Sequence, residues 1–223
     1  MVIGKGNAKI RGRAKKVFQL LSKKYSDVPK LFLSYKTQAQ MLCAIILSAQ
    51  STDVQTNKVT RELFLKHKTV SDFADADLSK LEREINSIGL YRSKARNIIF
   101  SFKIIKEKFG GKIPQTMGEL LELPGVGRKT ANLVLFSLGK IEGVAVDTHV
   151  ARLSYRIGLS SSKNPSIIEK DLMNIYPKKN WGKLNGLFIS HGREVCLARI
   201  PKCSNCFLNT AKLCPRAGVS KSV

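Results

Sequence analysis

Acidic residues are scarce in this chain. Sixteen Asp and Glu stand against 39 Lys and Arg in 223 residues, a formal net charge of +23. A chain so short of negative charge repels itself and other basic surfaces, and its natural partner is a polyanion, nucleic acid before others. Long apolar runs are also missing. The longest, Met41 to Ala49, is too short to span a bilayer. No apolar core and small-residue cleavage site follows the basic start Met1 to Lys16, which removes the secretory reading and leaves a cytoplasmic protein as the expectation. Sustained period-two alternation is absent too, as are low-complexity tracts and internal repeats, so neither a sheet protein nor a solenoid is expected.

What is present is a folding composition, with 43% hydrophobic residues and enough length for one large domain or two small ones. Apolar periodicity between Gly and Pro punctuation predicts helices over 12–25, 37–49, 54–67, 78–87, 93–109, 117–123, 128–138, 148–157, 165–175 and 181–190, an all-α chain. Ser51, Thr52 and Asp53 are suitable N-caps for the third of these. The charge is uneven. Residues 1–26 hold eight basic and no acidic residues, residues 178–223 hold nine basic residues and only Glu194 as an acid, and the middle is closer to balance.

Two constellations carry chemistry. In Leu123-Pro124-Gly125-Val126-Gly127-Arg128-Lys129-Thr130-Ala131 a short helix stops at proline and a second starts near Arg128. Gly125 and Gly127 leave backbone N–H groups open to a phosphate oxygen, helped by the dipole of the following helix. Such a grip holds nucleic-acid backbone without reading sequence, although an ordinary helical corner has the same local pattern. Lys129 lies beside Arg128 in the first helical turn, where a neighbouring like charge and the helix dipole both favour a neutral amine. A neutral lysine is a nucleophile able to form a Schiff base, and a charged one binds phosphate.

The second constellation is Cys196, Cys203, Cys206 and Cys214, with six, two and seven residues between them. Four thiols so close together in a reducing compartment point to one metal or cluster site rather than disulfides. Zinc and a [4Fe–4S] cluster both take four cysteines, but zinc modules more often show two separated Cys-x-x-Cys pairs, and only Cys203 and Cys206 form one here. Cys43 stands alone in an apolar helix as a core residue. His67, His149 and His191 have no ligand-like spacing and read as structural or surface residues.

The hairpin string resembles the helix–hairpin–helix of the endonuclease III family. The stretches Ile46-Leu47-Ser48-Ala49-Gln50-Ser51-Thr52-Asp53, Ile88-Gly89-Leu90-Tyr91, Val146-Asp147-Thr148-His149-Val150 and His191-Gly192-Arg193 are similar to the family's landmarks, in the same order. The resemblance covers residues 12–215 and implies two helical lobes. One is a six-helix barrel over 31–141 with the hairpin, and the other is a cluster-bearing lobe made from 1–30 and 142–223. It implies a DNA glycosylase and abasic-site lyase acting as a monomer on duplex DNA with oxidised or ring-saturated pyrimidines.

On the same resemblance Lys129 is the nucleophile and Asp147, otherwise a plain N-cap, is the assisting carboxylate. Gln50 and Leu90 are the residues inserted into the duplex, where local sequence alone reads a solvent-facing glutamine and a core leucine. The four cysteines hold a [4Fe–4S] cluster, with a last loop two residues longer here than in the family. Arg199 and Lys202, in the loop between the first two cysteines, join Gly125, Gly127 and Arg128 in contacting DNA phosphates. Related glycosylases specific for adenine or thymine mismatches normally lack a lysine at the position of Lys129. The adenine-specific enzymes also add a C-terminal recognition domain, whereas this chain ends soon after the cysteines. A non-catalytic hairpin protein would have no use for both Lys129 and Asp147.

Overall fold

The computed structural model describes residues 5–223, with side chains from residue 8 onward. The first four residues of the basic N-terminal segment lie outside the described residues. Twelve helices and no strand are found among the described residues, and no helix is long and apolar enough to cross a membrane. The chain divides into two compact units, one of residues 31–142 and the other of residues 1–30 with 143–223.

The unit 31–142 is built around α2 (Gln38–Ser48), where every residue from Ala39 to Leu47 is buried, Cys43 included. A helix apolar on all sides belongs in the middle of a bundle, and α2 packs on α3 (Asp53–Lys66), α6 (Tyr91–Lys108) and α8 (Arg128–Ser137). Thr52 caps α3, accepting from the Gln55 N–H at 3.2 Å. Two short helices complete one side, α4 (Val70–Ala74) and α5 (Leu78–Glu84). Phe73 of α4 stacks on Phe102 of α6 with ring centroids 4.6 Å apart. His67 is structural, its two ring nitrogens lying 3.1 Å from the Asp72 carbonyl and 3.1 Å from Glu84. The last short helix, α7 (Met117–Leu121), starts with a reciprocal capping box between Thr116 and Glu119.

The second unit joins α1 (Lys5–Lys24) to α9 (Thr148–Ile157), α10 (Pro165–Ile175), α11 (Lys178–Glu194) and α12 (Phe207–Thr210). Ala14, Val17 and Leu21 of α1 are fully buried at helical spacing against Leu153, Leu172, Leu184 and Phe188. Arg13 donates to the Ile157 carbonyl at 3.0 Å, closing the end of α9. Two helices differ clearly from the sequence expectation. The first begins at Lys5 rather than near Gly12, because the charged stretch before Gly12 continues the helix. The last long one begins at Lys178 rather than Trp181, directly after Pro177, whose fixed φ suits a helix start. α4 and α12 have no counterpart among the helices expected from sequence, because both are too short to show a period.

Gly186 of α11 lies against the start of the chain, and a Cβ there would come within 2.4 Å of Val28 Cγ1. Gly186→Ala is expected to destabilise the protein by about 1–3 kcal/mol through overpacking, read as a lower urea midpoint at unchanged slope.

Candidate active site and cysteine site

In the unit 31–142, the hairpin runs from α7 through residues 122–127 into α8. Leu123 and Val126 are buried and pin the turn, while Gly125 and Gly127 between and after them are exposed. The Val126 N–H donates to the Leu123 carbonyl at 3.0 Å, and Ser101 Oγ donates to the Pro124 carbonyl at 2.8 Å. Gly125 is needed for its backbone, since its φ is +79° and a Cβ would meet Asn97 Nδ2 at 2.8 Å. Gly127 is extended and caps α8 without any side chain, so the first amides of α8 face outward at the positive end of the helix.

Lys129 is the second residue of α8 and is half-buried, next to the exposed Arg128. Among the described residues no carboxylate pairs with Lys129. The amine is therefore not committed to the fold.

Gln50 and Leu90 lie in the same unit, and both are exposed with left-handed backbones, φ 54° and φ 59°. The leucine is 60% exposed, not the core residue that its apolar character alone would predict. An apolar side chain held outward on a strained backbone is an arrangement that packing does not reward.

Asp147 belongs to the other unit. It follows the buried segment Val144–Val146, which α11 holds through Asn185 Nδ2 donating to the Ala145 carbonyl at 3.0 Å. Its Oδ1 accepts from the Val150 N–H at 2.8 Å, the expected N-cap. Oδ2 takes no hydrogen bond among the described residues, so the carboxylate can cap α9 and still receive a proton or face a positive charge.

Cys196, Cys203, Cys206 and Cys214 all line one cavity, together with Arg156 and His191. Two arginines of α9, overlooked in the sequence, hold the loop that opens the site. Arg152 donates to the Cys196 carbonyl at 3.1 Å and the Gly192 carbonyl at 3.1 Å. Arg156, buried to 8% exposure, donates to the carbonyls of Leu197 at 2.6 Å and Ala198 at 2.7 Å, and reaches Cys196 Sγ at 3.4 Å. The available signal was their i, i+4 spacing on a helix whose other face is apolar.

His191 is buried, 3.2 Å from the Tyr25 hydroxyl and 3.5 Å from Cys206 Sγ, and burial lowers its pKa to about 4. Burial also pushes the Cys206 and Cys214 thiols up, toward the protonated form. The longer loop after Cys206 closes by forming α12 and then turning through Lys212 at φ 54°. Arg199 and Lys202 are exposed on the loop between the first two cysteines.

Residues 43–178 match the HhH-GPD superfamily of base excision DNA repair proteins. An endonuclease III of Synechocystis sp. is 46% identical over 209 residues, covering 93% of this chain and 94% of that protein. One of Bacillus subtilis is 42% identical over 175 residues, 78% of this chain and 80% of its own. A trapped endonuclease III–DNA covalent intermediate superposes with a TM-score of 0.86 at 39% identity, covering 92% of this chain and 96% of that one. The chain belongs to the endonuclease III family within the HhH-GPD superfamily. It is thus an enzyme of the class of DNA glycosylases that, in endonuclease III, also have abasic-site lyase activity.

The two glycines of the hairpin separate by experiment. Gly125→Ala is expected to lower stability by about 1–3 kcal/mol, from the left-handed backbone and the Asn97 clash. Gly127→Ala, with open space around its Cβ and an extended backbone, is expected to change the melting temperature little.

Proposed function

We propose that this protein removes oxidised or ring-saturated pyrimidines from duplex DNA and then cuts the strand, with Lys129 as nucleophile. The observation that carries the reading is an amine without an ion-pair partner at the uncapped start of α8, directly after a turn suited to DNA phosphate. Lys129 Nζ attacks C1′ of the damaged nucleotide. The C1′–N glycosidic bond breaks, and the base leaves with its electron pair and takes up a proton. The amine loses its protons as the sugar ring opens to a Schiff base. Loss of a C2′ proton then expels the 3′ phosphate by β-elimination.

Asp147, with Oδ2 free, is suited to offset the positive charge that develops on the sugar or to move the protons. Gln50 and Leu90 fill the space left when the nucleotide is extruded, one by hydrogen bonding to the orphan base and the other as an apolar wedge. Their exposure and left-handed turns support those roles.

The cysteines suit a [4Fe–4S] cluster. Cys196, Cys203, Cys206 and Cys214 are all among the residues that line one cavity. Four cysteines are the usual ligand set of such a cluster. When bound, the cluster supplies a fixed anchor for residues 196–214. Arg152 and Arg156 hold the loop backbone, and Arg199 and Lys202 then face outward toward DNA phosphates.

Borohydride is expected to trap wild-type protein covalently on duplex DNA containing an abasic site or thymine glycol. Lys129→Ala should abolish the adduct, and an undiminished adduct would reassign the nucleophile. Anaerobically purified protein is expected to be yellow-brown, with four irons and four sulfides per chain. Colourless protein carrying zinc would remove the cluster from this reading. Binding should also weaken steeply with added salt, as neutralised phosphates release counterions.

A further inference from the structure

Lys94 is an anomaly in the unit 31–142. It lies on the apolar stripe of α6, only 5% exposed, and no acid neutralises it. Its Nζ donates to the Leu47 carbonyl at 2.9 Å and lies 3.5 Å from Ser51 Oγ. Leu47 is in the last turn of α2, where carbonyls lack helical partners and a cation meets the negative end of the dipole. Burial pushes the lysine toward its neutral form, so this placement is a cost to the fold. The residues around it suggest what it achieves. Leu47 and Ser51 bracket Gln50 in the chain. The Lys94 N–H donates to the Leu90 carbonyl at 3.0 Å, making the first helical hydrogen bond of α6. One residue thus holds both exposed left-handed turns, that of Gln50 through its side chain and that of Leu90 through its backbone.

The geometry points to Lys94 as a positioning residue that locks Gln50 and Leu90 in one fixed spacing, so that both enter the duplex together when a nucleotide is extruded. The inference rests on the proposed glycosylase reading. Lys94 touches no reacting atom in it. Its effect is confined to substrates whose lesion must be drawn out of a base stack.

The test compares trapping rates of full-length protein on two substrates under single-turnover conditions. One is a duplex with a single paired thymine glycol, and the other is a single-stranded oligonucleotide with an abasic site, which needs no extrusion. Lys94→Met keeps length and helix propensity while removing the charge and the donors. It is expected to slow trapping on the duplex on the order of tenfold, the effect of one lost charged hydrogen bond, and on the single strand by less than about twofold.

In a Gln50→Ala, Leu90→Ala background, Lys94→Met should add almost nothing, because the residues it positions are gone. Equal slowing on both substrates would mark a merely structural lysine and overturn the inference. So would no slowing on the duplex, or full additivity in the wedge-less background. Lys94→Gln, which keeps a shorter donor, should give the same substrate pattern at smaller size, and it serves if the methionine variant does not fold. Failure of wild type on both substrates would instead count against the proposed function.

Discussion

A charge can occupy the apolar face of a helix only if its surroundings give it partners, and α6 meets that condition once, at Lys94, through the backbone at the end of α2. The rest of the unit 31–142 is organised along the same face. Leu90 caps the helix, Lys94 reaches the end of α2, Asn97 fills the space beside Gly125, and Ser101 holds the Pro124 carbonyl. The intervals of four, three and four residues follow the helical repeat, so these contacts share one side. Phe102, one position on, stacks on Phe73 and anchors the helix in the core. A rigid rod therefore sets the position of each candidate DNA-contacting turn in this unit, which is the kind of support a site needs if its geometry is to be held closely.

The unit of 1–30 and 143–223 solves a similar problem with arginine. α9 starts at the Asp147 cap and carries Arg152 and Arg156 one turn apart, and both spend most of their donors on backbone carbonyls, with further contacts to His149 Nδ1 and Cys196 Sγ. A guanidinium offers five donors in a flat fork, so it can satisfy several loop carbonyls at once where an ammonium would satisfy fewer. One short helix thus serves both the carboxylate at its head and the cysteine loop on its flank.

Much of this was legible in the sequence, and the remainder has definite physical reasons for being hidden. The helices with long periods, the cap at Thr52, the Gly-x-Gly turn and the cysteine run are local signals, written within a few residues. The cap role of Asp147 was also readable, while its free second oxygen was not. Buried or half-buried cations such as Lys94, Arg156 and Arg152 look like surface residues in sequence, because most of their partners are backbone carbonyls that leave no trace in residue identity. The left-handed turns at Gln50 and Leu90 were equally hidden. Glycine announces such a backbone, and neither position uses it. The family resemblance singled out both residues, whereas local propensity placed Leu90 in the core.

The choice between glycine and side chain at positive φ separates two kinds of turn. Gly125 takes the left-handed conformation without strain, and a phosphate can then approach bare backbone. Gln50 and Leu90 take it at a cost of about 1–2 kcal/mol each, which glycine would largely remove. Strain of that size makes sense only where the side chain itself is needed beyond the turn. The remaining non-glycine residues in this conformation among the described residues are Lys212 and Arg216, on either side of Cys214 in and just after the lengthened loop. Both are cations that a glycine could have replaced for the sake of the turn alone.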